Sequence, residues 1–126
     1  MSAIICSVGP EFPVESVRGF PAETVATIRE FWGRPSLSGL ERTVRVVMEF
    51  YLPAGARRSL AEVPGSVRLR EDLGIDSLSL AEAVFKWDDL FGTVIETREA
   101  AGVETMDELV AFLAGKMGLS AAADPS

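Results

Sequence analysis

Ser77 is the residue in this chain whose setting could do chemistry. It follows Asp76, and Gly74 stands just before that pair, within "DLGIDSLSL" (residues 72–80). An apolar, helix-like run begins at once. Three uses fit a serine so placed: a helix-start residue, a nucleophile, or a point of attachment. The chain contains no histidine, which removes Ser-His-Asp and Cys-His catalysis in their usual forms. Nor does Ser77 sit in a Gly-x-Ser-x-Gly elbow. With Cys6 as the one cysteine, the ligands that zinc and redox metals favour are missing, and no metal site is expected. There is no P-loop and no dinucleotide fingerprint, so the chain is not expected to be an enzyme. Two uses remain. Serine is common where helices start. A serine at a helix N-terminus is also well placed to carry a phosphodiester, because free N–H groups and the positive helix end favour an anion there. Gly74 would give the backbone access, and Asp76 leaves an acid beside the hydroxyl.

The elements that must position Ser77 follow from periodicity and breakers. Asp76 is a good N-cap for "DSLSLAEAVFKWDDLFG", with Ser77 at the first helical position and Gly92 ending the helix. Upstream, "PAETVATIREFW" reads as a helix with Pro21 in its first position and Val25, Ile28, Phe31 and Trp32 on one face. The stretch "GRPSLSG" ends it. A second helix spans roughly residues 40–52, with Leu40, Val44, Val47 and Tyr51 at helical spacing and Pro53 as its stop. The long connection to Gly74 must be functional or pinned, and Leu60, Val63 and Leu69 are the expected pins. "TREAAG" is a short helical turn. In "TMDELVAFLAGKMG" Thr105 is the expected cap, with Glu108 completing a capping box. Residues 1–20 read as irregular chain, and residues 119–126 as a frayed tail. No β-strand pattern is present.

Length and charge bound the partners. The chain has 126 residues, a net charge of -7 and 48% hydrophobic residues, which suits one globular domain. The acidity argues against nucleic acid and favours partners with basic surfaces. No apolar run is long enough to span a bilayer. The first residues make a poor signal or transit peptide, and a lone cysteine fits a reducing compartment. The expected location is cytoplasmic and the expected state a monomer.

The helix after Ser77 carries two apolar stripes. Leu80, Val84, Trp87 and Phe91 form one, enough to join a small bundle. Leu78, Ala81 and Phe85 form another, rimmed by Glu82, Asp88 and Asp89. The second stripe suits a docking surface for a basic partner. The competing reading packs Phe85 beneath the long loop or the N-terminal extension.

"EDLGIDSLSLAEAVFKWDDLFGTVI" (residues 71–95) resembles the signature region of acyl carrier proteins. Asp72, Leu73, Gly74, Asp76, Ser77 and Leu78 match the pattern, as does the spacing to Phe91 and Ile95. Val63 and Leu69 stand where the family has loop anchors, and "TREAAGVETMDELVAFL" resembles its short third and its fourth helix. The resemblance covers residues 38–118. It implies an all-α, acyl-carrier-like four-helix bundle of three longer helices and one short, with an additional N-terminal helical extension. The expected division is 1–38 for the extension, 39–118 for the carrier domain and 119–126 for the tail.

By the same resemblance, Ser77 would carry a 4′-phosphopantetheine arm added by a phosphopantetheinyl transferase. Asp76 would support that loading from beside the transferase's magnesium. Glu82, Asp88 and Asp89 match the family's acidic partner-recognition positions, and Leu78, Ala81 and Phe85 the apolar ones. The implied function is a carrier of acyl thioesters for fatty-acid or polyketide-type synthesis, with partners whose docking patches are basic. The alternatives are a carrier-like adaptor acting through protein contacts, or an aminoacyl or peptidyl carrier, against which "GID" before the serine speaks. The chain departs from the family pattern in places. Lys86 is basic, Trp87 is bulkier than the usual aliphatic, and Arg57, Arg58, Arg68 and Arg70 make the loop basic. The first forty residues are additional; their helix is expected to pack on the bundle, since Phe31 and Trp32 would otherwise expose a sizeable apolar area.

Overall fold

The structure is a computed structural model that describes residues 12–56 and 58–119. Among these residues the chain is helical, with no strand. Five α-helices follow in order: α1 (Ala22–Gly33), α2 (Leu37–Glu49), α3 (Ser77–Phe91), α4 (Thr97–Ala100) and α5 (Met106–Met117). The irregular start over residues 1–11, Arg57 and the tail over residues 120–126 lie outside the described residues. Leu119 is described and is buried, its N–H donating to Ala114 O at 2.9 Å to close α5.

Helix boundaries differ from expectation where caps override breakers. α2 begins at Leu37, three residues before the expected 40, because Ser36 Oγ accepts from Gly39 N–H at 3.0 Å. The expected division at residue 38 therefore falls inside its first turn. α2 ends at Glu49, and Phe50 and Tyr51 tighten into i→i−3 bonds before Pro53. Pro21 stands at the N-cap of α1 rather than in its first turn. Thr105 caps α5 as expected, accepting from Glu108 N–H. The Glu108 carboxylate, however, accepts from Glu104 N–H at 2.8 Å instead of closing back on Thr105.

One continuous cluster of buried side chains runs from Val17 to Leu119. α2, α3 and α5 contribute Leu40, Val44, Val47, Val84, Leu90, Leu109 and Leu113. α1 belongs to the same core. Phe91 is fully buried and meets Phe31 of α1 at 5.5 Å, Trp32 at 5.9 Å and Trp87 at 4.6 Å between ring centres. Gly39 lets α1 and α2 approach: a Cβ there would lie 3.2 Å from Phe31 Cδ1. The N-terminal helix thus packs on the rest, as Phe31 and Trp32 suggested.

The long connection is held from two sides. Leu60 and Leu69 are buried as expected, while Val63 is only half-buried. The stronger grip comes from α2. Arg45 is buried and donates to Leu60 O at 2.8 Å and Val63 O at 2.6 Å, and Glu49 Oε2 accepts from Leu60 N–H at 2.8 Å. On the far side an isolated antiparallel bridge joins Arg68 to Thr105, through Leu69 N–H to Glu104 O and Met106 N–H to Val67 O. From Leu60 onward the connection is a strap, held at both sides, that delivers residue 76 to the start of α3.

Candidate functional site

The turn before Ser77 is built by alternation. Leu73 and Ile75 point into the core, and Asp72, Gly74 and Asp76 face outward. Gly74 adopts φ 75°, and Pro53 lies 3.0 Å from where its Cβ would stand, so the turn needs glycine for both conformation and space. Asp72 Oδ2 accepts from Arg68 N–H, and Ile75 N–H donates to Leu69 O, each at 2.9 Å. These bonds fix the direction in which α3 begins.

Asp76 caps α3, its Oδ1 accepting from Ser79 N–H at 2.8 Å. Hydrogen bonds from the Ser79 backbone and then its hydroxyl hold the Asp76 carboxyl below its usual range, and the Arg70 charge adds to this. A carboxylate so held is a weak base. Ser77 is exposed in the first turn, and its Oγ accepts from Arg70 Nη2 at 2.5 Å. The hydroxyl therefore stands beside a cation, not a base. A cavity of about 200 Å³ opens next to it, with Leu69, Ile75 and Leu80 on one side and Thr97, Ala100 and Val103 around α4 on the other. Its wall includes Arg70, Asp76 and Ser77 themselves. An exposed, unactivated hydroxyl with a cation, a helix N-terminus and a mixed cavity beside it is suited to holding an attached anionic group.

The outer face of α3 brings together most of the expected docking residues. Leu78 and Phe85 are 68% and 57% exposed, so among the described residues Phe85 lies beneath neither the loop nor the N-terminal segment. Ala81 is half-buried between them and the cavity, and Glu82 and Asp89 are exposed. Tyr51 stands against this face. Burial pushes its phenol above the usual tyrosine range, and the nearby charges of Glu82 and Asp89 push the same way. Asp88 is placed differently. Its carboxylate accepts from Thr93 Oγ1 at 2.5 Å and Ile95 N–H at 3.3 Å, tying the end of α3 to the chain leading into α4. These bonds fix the carboxylate at the end of α3. Lys86 donates to Ser16 O at 3.0 Å and anchors the turn over residues 13–19 to α3.

Trp87 has a second peculiarity. It is 2% exposed, and its indole Nε1–H finds no acceptor among the described residues. A buried donor left so costs about 1–3 kcal/mol. Trp87 lines a small void of about 10 Å³ between α2, α3 and α5, room for one water-sized group. Leu80, half-buried, lines both this void and the cavity at Ser77.

Arg70, Tyr51, Arg45 and the Lys86 anchor are the features sequence reasoning missed. Each acts on a partner at least seven residues away, and such contacts leave no periodic trace. No protein-family model matches the chain, and no solved structure matches it significantly.

Proposed function

We propose that the protein is an acyl carrier, folded as the acyl-carrier-like bundle its motif resembles, with Ser77 as the attachment point of a 4′-phosphopantetheine arm. The observation that carries this is Ser77 itself: exposed at the start of α3, its Oγ 2.5 Å from Arg70 Nη2, beside a cavity of about 200 Å³. The residues present fit such an arm. Arg70 and the positive N-terminal end of α3 would meet its phosphodiester, and the half-apolar cavity wall would meet its stem. In loading, the Ser77 Oγ would form its bond to phosphorus as the phosphoanhydride of coenzyme A breaks. The hydroxyl proton would pass to a base of the transferase, and adenosine bisphosphate would leave. The bound arm would supply a terminal thiol able to carry an acyl group as a thioester. This chain's part is to hold, orient and present that cargo, with Glu82, Asp89, Leu78 and Phe85 offered to basic partner surfaces.

The test is an intact mass after incubation with a broad-specificity phosphopantetheinyl transferase and coenzyme A. One arm is expected on the native chain and none on Ser77→Ala. An unchanged mass for the native chain overturns the carrier reading; an arm on Ser77→Ala moves the site elsewhere.

A further inference from the structure

The turn that delivers Ser77 also delivers a cation to it. Leu69 and Ile75 are both buried, and Ile75 N–H donates to Leu69 O at 2.9 Å. Gly74 N–H donates to Arg70 O at 3.1 Å. These bonds close the loop between Arg70 and Ser77, and the two exposed side chains meet as Nη2 and Oγ at 2.5 Å. The partner is unusual for an arginine of this chain. Arg18, Arg42, Arg45, Arg68 and Arg98 each pair with a carboxylate, and Arg70 does not among the described residues. A guanidinium carries five N–H donors in a planar fork that matches a phosphate. The neutral hydroxyl of Ser77 engages one of them. The charge and the other donors are left beside the atom to which phosphorus would bond.

We propose that Arg70 is a catalytic residue of arm loading, beyond meeting the finished phosphodiester. The proposal rests on the carrier reading of Ser77. Before the reaction Arg70 Nη2–H donates to Ser77 Oγ, holds its rotamer and leaves its second lone pair for attack. A cation there favours the negative charge that grows on Oγ as the hydroxyl proton passes to a base of the transferase. The Oγ–phosphorus bond forms, the phosphoanhydride bond of coenzyme A breaks, and adenosine bisphosphate leaves with the electron pair of that bond. The unesterified oxygens on phosphorus stand one bond beyond Oγ, within a side-chain rotation of the same guanidinium. Arg70 passes to them as the new bond forms. Part of the stabilisation of the transferred phosphoryl group thus comes from the carrier rather than the transferase.

The experiment follows loading of the full chain, Arg70→Gln and Arg70→Lys by a broad-specificity transferase with coenzyme A. Intact mass gives the rates over a range of chain concentrations. Arg70 is exposed, and equal urea midpoints check that the variants fold as the native chain does. For Arg70→Gln a fall of about tenfold in kcat is expected, the size of one charge-assisted hydrogen bond, at an unchanged KM for the chain. Arg70→Lys restores the charge without the fork and is expected to recover part of the rate. Once loaded to completion, the native chain and Arg70→Gln are expected to differ in the ³¹P shift of the phosphodiester when folded and to coincide in urea. An unchanged kcat, a loss confined to the KM for the chain, no recovery in Arg70→Lys, or coincident ³¹P signals in the folded proteins overturns the proposal and leaves the carrier reading intact. A native chain that takes no arm overturns the carrier reading, and this inference falls with it.

Discussion

Tyr51 is the one tyrosine of the chain, so its ionisation can be read without overlap. Burial and the charges of Glu82 and Asp89 hold its phenol above the ordinary value of about 10. The sign follows from the neutral form being favoured in the fold. The stability linked to Tyr51 is fully present below about pH 10 and is lost as pH rises through the higher folded value. Tyrosinate absorbance should therefore titrate with a midpoint above 10 in the native chain. It should fall in Glu82→Gln/Asp89→Asn, because two of the three causes are then gone. A midpoint that ignores this double substitution would place the acids away from Tyr51. At this scale the sequence was half legible. Asp76 and Ser77 were readable because capping follows local chain grammar. Arg70 and Tyr51 were not, because their roles depend on which loop and helix end the fold brings near α3. Asp88 has a structural role that its spacing did not indicate. Its helical position put it among the docking acids, yet Thr93 and Ile95 engage it.

Among the elements, the strap before α3 decides whether Ser77 is presented at all. Arg45 holds its backbone by two carbonyls from a buried position, with Glu41 pairing at 3.2 Å. Arg45→Leu keeps the apolar stem but leaves the carbonyls of Leu60 and Val63 without their donor. Hydrogen bonds to a charged group are worth about 1.5–3 kcal/mol, and a loss of about 3 kcal/mol is expected. Urea unfolding should show it as a lower midpoint at unchanged slope. A loss under about 1 kcal/mol, within the range of a replaceable exposed contact, would mean the strap finds other donors. The sequence named apolar pins here, and Leu60 and Leu69 serve as such. Polar pins were invisible because Arg45 and Glu49 look like solvated residues on an amphipathic helix. The helices themselves were legible from apolar spacing and caps. The start of α2 was not, because "GRPSLSG" is rich in breakers while its Ser36 cap lacks an acid three residues on to mark it.

For the whole molecule, residues on both sides of position 38 share one core. Phe31 of α1 packs on Phe91 of α3 and against Gly39 of α2, so Phe31→Ala should cost about 3–5 kcal/mol. It should do so in a single cooperative transition by both helical and tryptophan signals. Two separated transitions would mean α1 unfolds as a unit of its own. The charge of the molecule acts differently, through encounter. At a net charge of -7, any basic partner is attracted from outside contact, but only charges on the docking face also hold it in place. Glu82 and Asp89 are exposed beside Leu78 and Phe85. Asp88 is set apart, since its loss would loosen the α3–α4 link as well. Reversal of Glu82 and Asp89 to Lys should therefore lower the kcat/KM of arm loading at low salt. Because exposed charges are screened over about 10 Å at 0.1 M ionic strength, the deficit should shrink as salt rises. Reversal of Glu23 and Glu62, exposed residues outside α3, changes the net charge equally and serves as the control. Equal losses for the two pairs would assign the effect to overall charge and remove the outer face of α3 as the docking surface.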